Sequence, residues 1–221
     1  MKVLDLFCGA GGAAMGYHLA GAEVWGVDIK TQPYYPFWFL RGDAIEHLMN
    51  VEIGQYDLIH ASPPCQAYST ASPSTYDYPD LVALTRDWLV ATGIPYVIEN
   101  VVTAPVRRDL MLCGSMFGLE VQRHRLFEFG WGATAPEQPS CEHQWKEGRP
   151  WSVVGNAGGM MSRSRSETHS FKYRNLAHAQ ELMEMPWVKT RKGITEAVHP
   201  AYTRFIGKHL AGQGGLFRTC G

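Results

Sequence analysis

A chain of 221 residues with 45% hydrophobic and 19% charged side chains is long enough for one α/β domain with a sizeable core and a small insertion. No apolar run approaches the roughly 18 residues that span a bilayer, and the opening MKVLDLFCGAGG is too poor in basic residues and too soon broken by glycines to read as a signal peptide. Five cysteines without an export signal point to reduced thiols rather than a disulfide framework, and a formal net charge of −1 excludes a uniformly basic body.

Charge is nevertheless uneven. Between Arg163 and Lys192 there are seven Lys/Arg against three Asp/Glu, a local +4 that leaves −5 for the rest. That segment is either an electrostatic footprint for nucleic acid or a solvated basic loop.

In chain order, Lys2-Phe7 reads as a strand, Ala13-Ala20 as a helix and Glu23-Asp28 as a second strand. Tyr56-Ala61 is a further strand, Asp80-Ala91 a helix and Tyr96-Asn100 another buried strand. This β-α-β rhythm predicts a doubly wound, mostly parallel sheet, in which ligands bind at the carboxyl ends of the strands. From Phe129 to Arg174 the pattern turns to Gly, Pro, Ser and scattered charge, as in a small inserted region. Leu176-Met185 and Thr203-Leu210 then read as helices. The expected division is an α/β core over 1–128, a small inserted region over 129–174 and C-terminal helices returning to the core over 175–221.

The unusual residues cluster at strand ends. Asp5-Leu6-Phe7-Cys8-Gly9-Ala10-Gly11-Gly12 passes from strand to glycine turn to helix, a geometry that lets backbone approach a ligand. Asp28 ends the next strand, where a carboxylate can accept ribose hydroxyls. The glycines do not fit G-x-G-x-x-G, which argues for an adenosine-type cofactor other than a nicotinamide dinucleotide. Ser62-Pro63-Pro64-Cys65-Gln66 sets a cysteine after two prolines that restrict its backbone. Alone, that is either a turn with a buried thiol or a held nucleophile. Glu99-Asn100-Val101 closes a further strand with a carboxylate whose pKa burial can raise. Arg123-His124-Arg125 sets guanidiniums beside a strand, as a surface ion-pair patch or as a donor fork for carbonyl or phosphate. Asp43 reads as a helix N-cap ahead of Ile45-Leu48. Cys141 and His143 are spaced like metal ligands, but two ligands do not make a zinc site, and no metal is expected.

Taken together and in this order, Asp5-Gly12, Pro64-Cys65-Gln66, Glu99-Asn100-Val101 and Arg123-His124-Arg125 resemble the motifs of the DNA (cytosine-5) methyltransferases, in particular the compact bacteriophage versions. The resemblance covers residues 1–130 well. It is looser at Ala179-Pro186 and Glu196-Tyr202, where Thr195-Glu196 replaces the family's Gly-Asn. Val121 also stands where many relatives carry a glutamine, so that auxiliary contact is not expected.

The resemblance implies a Rossmann-like S-adenosylmethionine-dependent methyltransferase fold, with 1–128 as its catalytic and cofactor-binding part and 129–174 as its small target-recognition region. It makes Cys65 the nucleophile on C6 of a flipped-out cytosine, Glu99 the contact to N3 and the exocyclic amine, Arg125 the donor to O2, and Arg123 a support for the same pocket or a phosphate. Phe7, Gly9, Gly11, Asp28, Asp43 and Pro64 would hold S-adenosyl-L-methionine, with an adenine-amine contact as the alternative to the cap at Asp43. Gln66, Ser69, Arg163 and Arg165 would contact double-stranded DNA. A monomer acting in the cytoplasm of a bacterial host, with no membrane partner, is expected. Three other readings stay open: a cytosine-5 methyltransferase acting on RNA, a same-fold enzyme moving a modified group from a sulfonium donor, and an inactive DNA-binding relative.

Overall fold

The computed structural model describes residues 1–52, 54–64, 80–144, 150–153 and 171–213. Its centre is a seven-stranded sheet made of β1 (Lys2–Leu6), β2 (Glu23–Asp28), β3 (Trp38–Arg41), β4 (Leu58–Ala61), β5 (Tyr96–Asn100), β6 (Leu110–Leu112) and β7 (Arg125–Gly130). The strand order is β3-β2-β1-β4-β5-β7-β6. All neighbours pair in parallel except β7, which runs antiparallel to both β5 and β6. This is the mostly parallel Rossmann-like sheet that the alternation of strands and helices predicts.

Period-two alternation divides the core between the two faces. Val3, Leu58, Val97 and Phe127 pack with α1 (Gly12–Leu19) and α6 (Pro200–Gly212). Leu4, Leu6, Ile59 and Ile98 pack with α2 (Ala44–Leu48) and α3 (Leu81–Thr92). Helix α3 is set by Asp80, whose carboxylate accepts the Val82 N–H, and by Gly93 at φ 66, which closes its C-terminus. Its Val82, Thr85, Leu89 and Thr92 face inward at helical spacing.

Behind β5 and β7 a buried carboxylate ties three segments together. Glu128 of β7 accepts Nε of Arg86 on α3 at 2.7 Å and the Arg107 backbone N–H at 2.9 Å. Burial alone would raise this carboxyl, but the two guanidiniums and the N–H outweigh it and hold it below the usual range.

A third apolar cluster lies at the carboxyl end of the sheet. Val121, Val153 and Tyr173 meet α4 (Leu176–Leu182) and α5 (Arg191–Glu196), with Met183, Met185 and Val188 between the helices. The short strands β8 (Trp151–Ser152) and β9 (Phe171–Lys172) pair beside it, and Trp151 bridges to Val121. Both described ends of the 129–174 region are therefore docked on the core. Val121, in the position of the family's glutamine, is fully buried packing.

Helix α4 stops three residues earlier than its periodicity suggests. Glu184 takes φ 53, the chain turns, and Met183 and Met185 both enter the third cluster. Helix α6 is longer than expected because His199 caps it through the Ala201 N–H and Pro200 occupies its first turn.

Candidate active site

The glycine turn after β1 is built on positive φ angles at Phe7 (56°), Gly9 (50°) and Gly11 (81°). Phe7 is the costly one, since a side chain in this region is strained by about 1 to 3 kcal/mol and persists where its surroundings fix it. Here the next N–H, of Cys8, donates to the Val27 carbonyl on β2. Gly11 caps α1, and a Cβ there would come within 2.8 Å of Pro36. Asp28 is held by two backbone donors, Gly9 N–H to one carboxylate oxygen at 3.0 Å and Lys30 N–H to the other at 2.8 Å. The turn and the carboxylate are thus one unit.

They line a cleft of ≈ 410 Å³, within the range of pockets that enclose a drug-sized ligand. Phe7, Gly9, Asp28, Asp43, Pro64, Glu99 and Arg125 all border it. Gly11 and Arg123 do not. Asp43 is an N-cap, its Oδ1 accepting from Ile45 and Glu46 N–H at the start of α2. Sequence alone left cap and ligand contact as alternatives, and the cap is present while the side chain still borders the cleft.

Glu99, the penultimate residue of β5, is buried, with Oε1 2.9 Å from Arg125 Nε at the start of β7. The antiparallel pairing of β5 with β7 makes this pair possible. Burial raises the Glu99 carboxyl above its usual value, and Arg125, the Ser62 hydroxyl and Arg123 offset part of that rise. Asn100 Nδ2 donates to the Pro63 carbonyl at 3.0 Å, fixing the start of the loop that leads to Cys65. Cys65, Gln66, Ser69, Arg163 and Arg165 lie outside the described residues.

Arg123 does not border the cleft itself. Its guanidinium donates to the Val153 carbonyl at 2.9 Å and the Thr195 carbonyl at 2.7 Å, and its own carbonyl accepts the Tyr202 hydroxyl at 2.7 Å. It joins the segment after β8, α5 and α6.

Periodicity gave no sign of a buried polar row beneath the cleft. Asp5, Gly26 and His60 are register partners on β1, β2 and β4. Tyr35 covers Gly26 and reaches Asp5 through its hydroxyl at 3.4 Å. Burial pushes the Asp5 carboxyl well up, the Tyr35 hydroxyl offsets part of this and the charge of Asp28 adds to it, while Asp5 Oδ1 has no partner among the described residues. His60 lies between the Tyr17 hydroxyl (3.1 Å) and the Ser62 hydroxyl (3.0 Å), and burial lowers its pKa to about 3. The far side of the cleft comes from Lys192, Gly193, Glu196 and Ala197 of the α5 region. A charged or polar residue breaking a buried strand is the one sequence signal that could have marked Asp5 and His60.

Residues 1–76 match the model of the C-5 cytosine-specific DNA methylase family. Among curated relatives, the type II methyltransferase M.AgeI of Thalassovita gelatinovora is 34% identical over 85 residues, covering 32% of this chain and 20% of the relative. M.HindV of Haemophilus influenzae is 26% identical over 157 residues, covering 61% of this chain and 46% of the relative. The chain thus spans less than half the length of either. Among solved structures, S. pombe Dnmt2 methyltransferase superposes with a TM-score of 0.62 at 12% identity, covering 97% of this chain and 99% of that one, a likeness of fold. No helix among the described residues is long and apolar enough to cross a membrane. Over its residues 1–76 the chain is thus similar to the C-5 cytosine-specific DNA methylase family.

Proposed function

We propose that the chain is a DNA (cytosine-5) methyltransferase that uses S-adenosylmethionine and attacks its target base through Cys65. The observation that carries this reading is the cleft shared by Asp28 with its glycine turn and by the Glu99–Arg125 pair. A nucleoside-binding half and a carboxyl able to engage a base thereby open on one space.

The residues present fit the cofactor. Asp28, Phe7 and Asp43 border one cleft, where Asp28 would accept ribose hydroxyls, Phe7 would lie against the adenine and Asp43 would take the adenine amine. The unpartnered Asp5 oxygen suits the cationic end of a sulfonium amino acid, since a nearby positive charge would offset the burial that raises this carboxyl. When bound, S-adenosylmethionine supplies an electrophilic methyl group.

The chain's own groups then act on cytosine. A base inside a duplex is shielded, so it must be flipped out at a cost of a few kcal/mol. The Cys65 thiolate adds to C6 and the displaced electron pair moves toward N3. There Glu99, its carboxyl raised by burial, hydrogen-bonds the ring, while Arg125 steadies Glu99 and donates to O2. C5, now enamine-like, accepts the methyl, loses its proton, and the ring expels the thiolate.

The test is nucleoside mass spectrometry of duplex DNA after incubation with S-adenosylmethionine. The wild type should yield 5-methyldeoxycytidine. Cys65→Ser should yield none yet bind S-adenosylhomocysteine normally, and Asp28→Ala should weaken that binding by about 1.5 to 3 kcal/mol. Product on folded RNA alone would move the substrate class, a heavier adduct would change the donor, and no product on either would leave a binding protein.

A further inference from the structure

The cysteine and histidine two residues apart in the insertion are not alone. Cys113 follows β6 and is fully buried, His124 lies between the two arginines just before β7, and Cys141 and His143 come from the loop after β7. The sequence pairs only the last two; the sheet brings all four together, their ligand atoms within 4.8 Å of one another. We propose that Cys113, His124, Cys141 and His143 hold a structural zinc ion that braces the segment carrying Arg123 and Arg125.

Four of the six ligand–ligand separations approach those of a tetrahedral set. His143 Nε2 lies 3.0 Å from Cys141 Sγ, 3.7 Å from Cys113 Sγ and 3.2 Å from His124 Nε2, and Cys141 Sγ lies 3.5 Å from His124 Nε2. Metal-ligand bonds of about 2.3 Å to sulfur and about 2.0 to 2.1 Å to nitrogen, at tetrahedral angles, put sulfur about 3.6 Å from nitrogen and the two nitrogens about 3.3 Å apart. Two thiolates and two imidazoles are a donor set that zinc prefers, and four protein ligands leave no open position for substrate or water. The role is therefore structural.

Two further features fit. His143 takes φ 52, a conformation that costs a non-glycine residue about 1 to 3 kcal/mol and is retained where something fixes the side chain. Ser115 Oγ lies 3.5 Å from Cys141 Sγ, where a hydroxyl can donate to a thiolate and steady it as a ligand.

The consequence runs to the cleft. Arg125 Nη1 donates to the His124 carbonyl at 2.8 Å while Arg125 Nε holds Glu99. Fixing the His124 ring fixes the peptide from which Arg125 is aimed. The inference does not depend on the methyl-transfer reading, because its first readout is metal content.

Elemental analysis of the purified full chain should find one zinc per chain. Exchange into Co²⁺ should give the visible absorption of tetrahedral cobalt with a thiolate charge-transfer band. Cys141→Ser and His143→Asn should lose the zinc, and a strong chelator should lower the Tm of the wild type but not of either variant. A wild-type chain that takes up neither ion when refolded with it, variants that keep a full equivalent, or a Cys113–Cys141 disulfide in the purified protein would each overturn the site. Should both variants fail to fold, the wild-type zinc content and cobalt spectrum decide alone.

Discussion

Two buried titratable residues beneath the cleft shift in opposite chemical senses, each toward its neutral form. Burial holds the His60 imidazole neutral and raises the Glu99 carboxyl, and Ser62, which interacts with both, separates them. His199, the cap of α6, is likewise lowered to about 4, chiefly by burial. For these histidines the unfolded chain binds a proton that the folded chain refuses. Their contribution to stability is complete above the ordinary value of 6.5 and is lost as pH falls toward about 3 for His60 and about 4 for His199. Each adds a slope of up to about 1.4 kcal/mol per pH unit within its window. Glu99 works the other way, its contribution present at low pH and lost as pH rises through its raised folded value. Because the carboxyls oppose the histidines in a bulk measurement, the check is residue-specific. The imidazole C–H resonances of His60 and His199 should stay flat from pH 7.5 to 5 in the folded protein. A midpoint near 6.5 for either would contradict its burial.

Helices α1 and α6 meet through small residues. A Cβ on Gly16 would lie 1.9 Å from the Thr203 hydroxyl and 2.2 Å from the Pro200 carbonyl. Nearby, Thr203 donates to the Ala13 carbonyl at 2.8 Å, which joins the two helices. Replacing a helical glycine by alanine ordinarily gains about 1 kcal/mol of helix propensity. Here the overpacking cost of about 1 to 3 kcal/mol or more should win, because one atom that must yield is backbone. Gly16→Ala is therefore expected to lower the unfolding free energy in urea, whereas Gly42→Ala, with nothing within 4 Å, should stay within about 0.5 kcal/mol of wild type. Equal stability of the two variants would show that the helices can separate without penalty.

Across the whole molecule, the last helix secures residues some eighty positions earlier in the chain. The Tyr202 hydroxyl donates to the Arg123 carbonyl, 79 residues away, and Arg123 in turn holds α5 and the Val153 carbonyl after β8. Tyr202→Phe keeps the ring in its core position and leaves a buried carbonyl unpaired, at a cost of about 1 to 3 kcal/mol. The expected signature is a lower urea midpoint with an unchanged m value. A midpoint equal to wild type would mean the carbonyl finds another donor.

Much of the core was legible locally. β2 and β5 fall on the residues that alternation selects, and the glycine turn, Asp28 and Glu99 stand out because polar or glycine residues interrupt apolar runs at strand ends. β3 gave no such signal, since it lies at the sheet edge with Trp38 and Leu40 exposed, and β6 and α5 are too short to carry a period. What the sequence determined by itself was the set of nearest-neighbour conformations and the residues each strand end presents. Only the tertiary structure decided that β7 returns antiparallel to set Arg125 against Glu99, that Arg123 ties α5 and α6 to the segment after β8, and that Cys113 and His124 join Cys141 and His143. Those outcomes depend on contacts between residues distant in the chain. The pairing of strands settles such contacts, and no local window of sequence contains them.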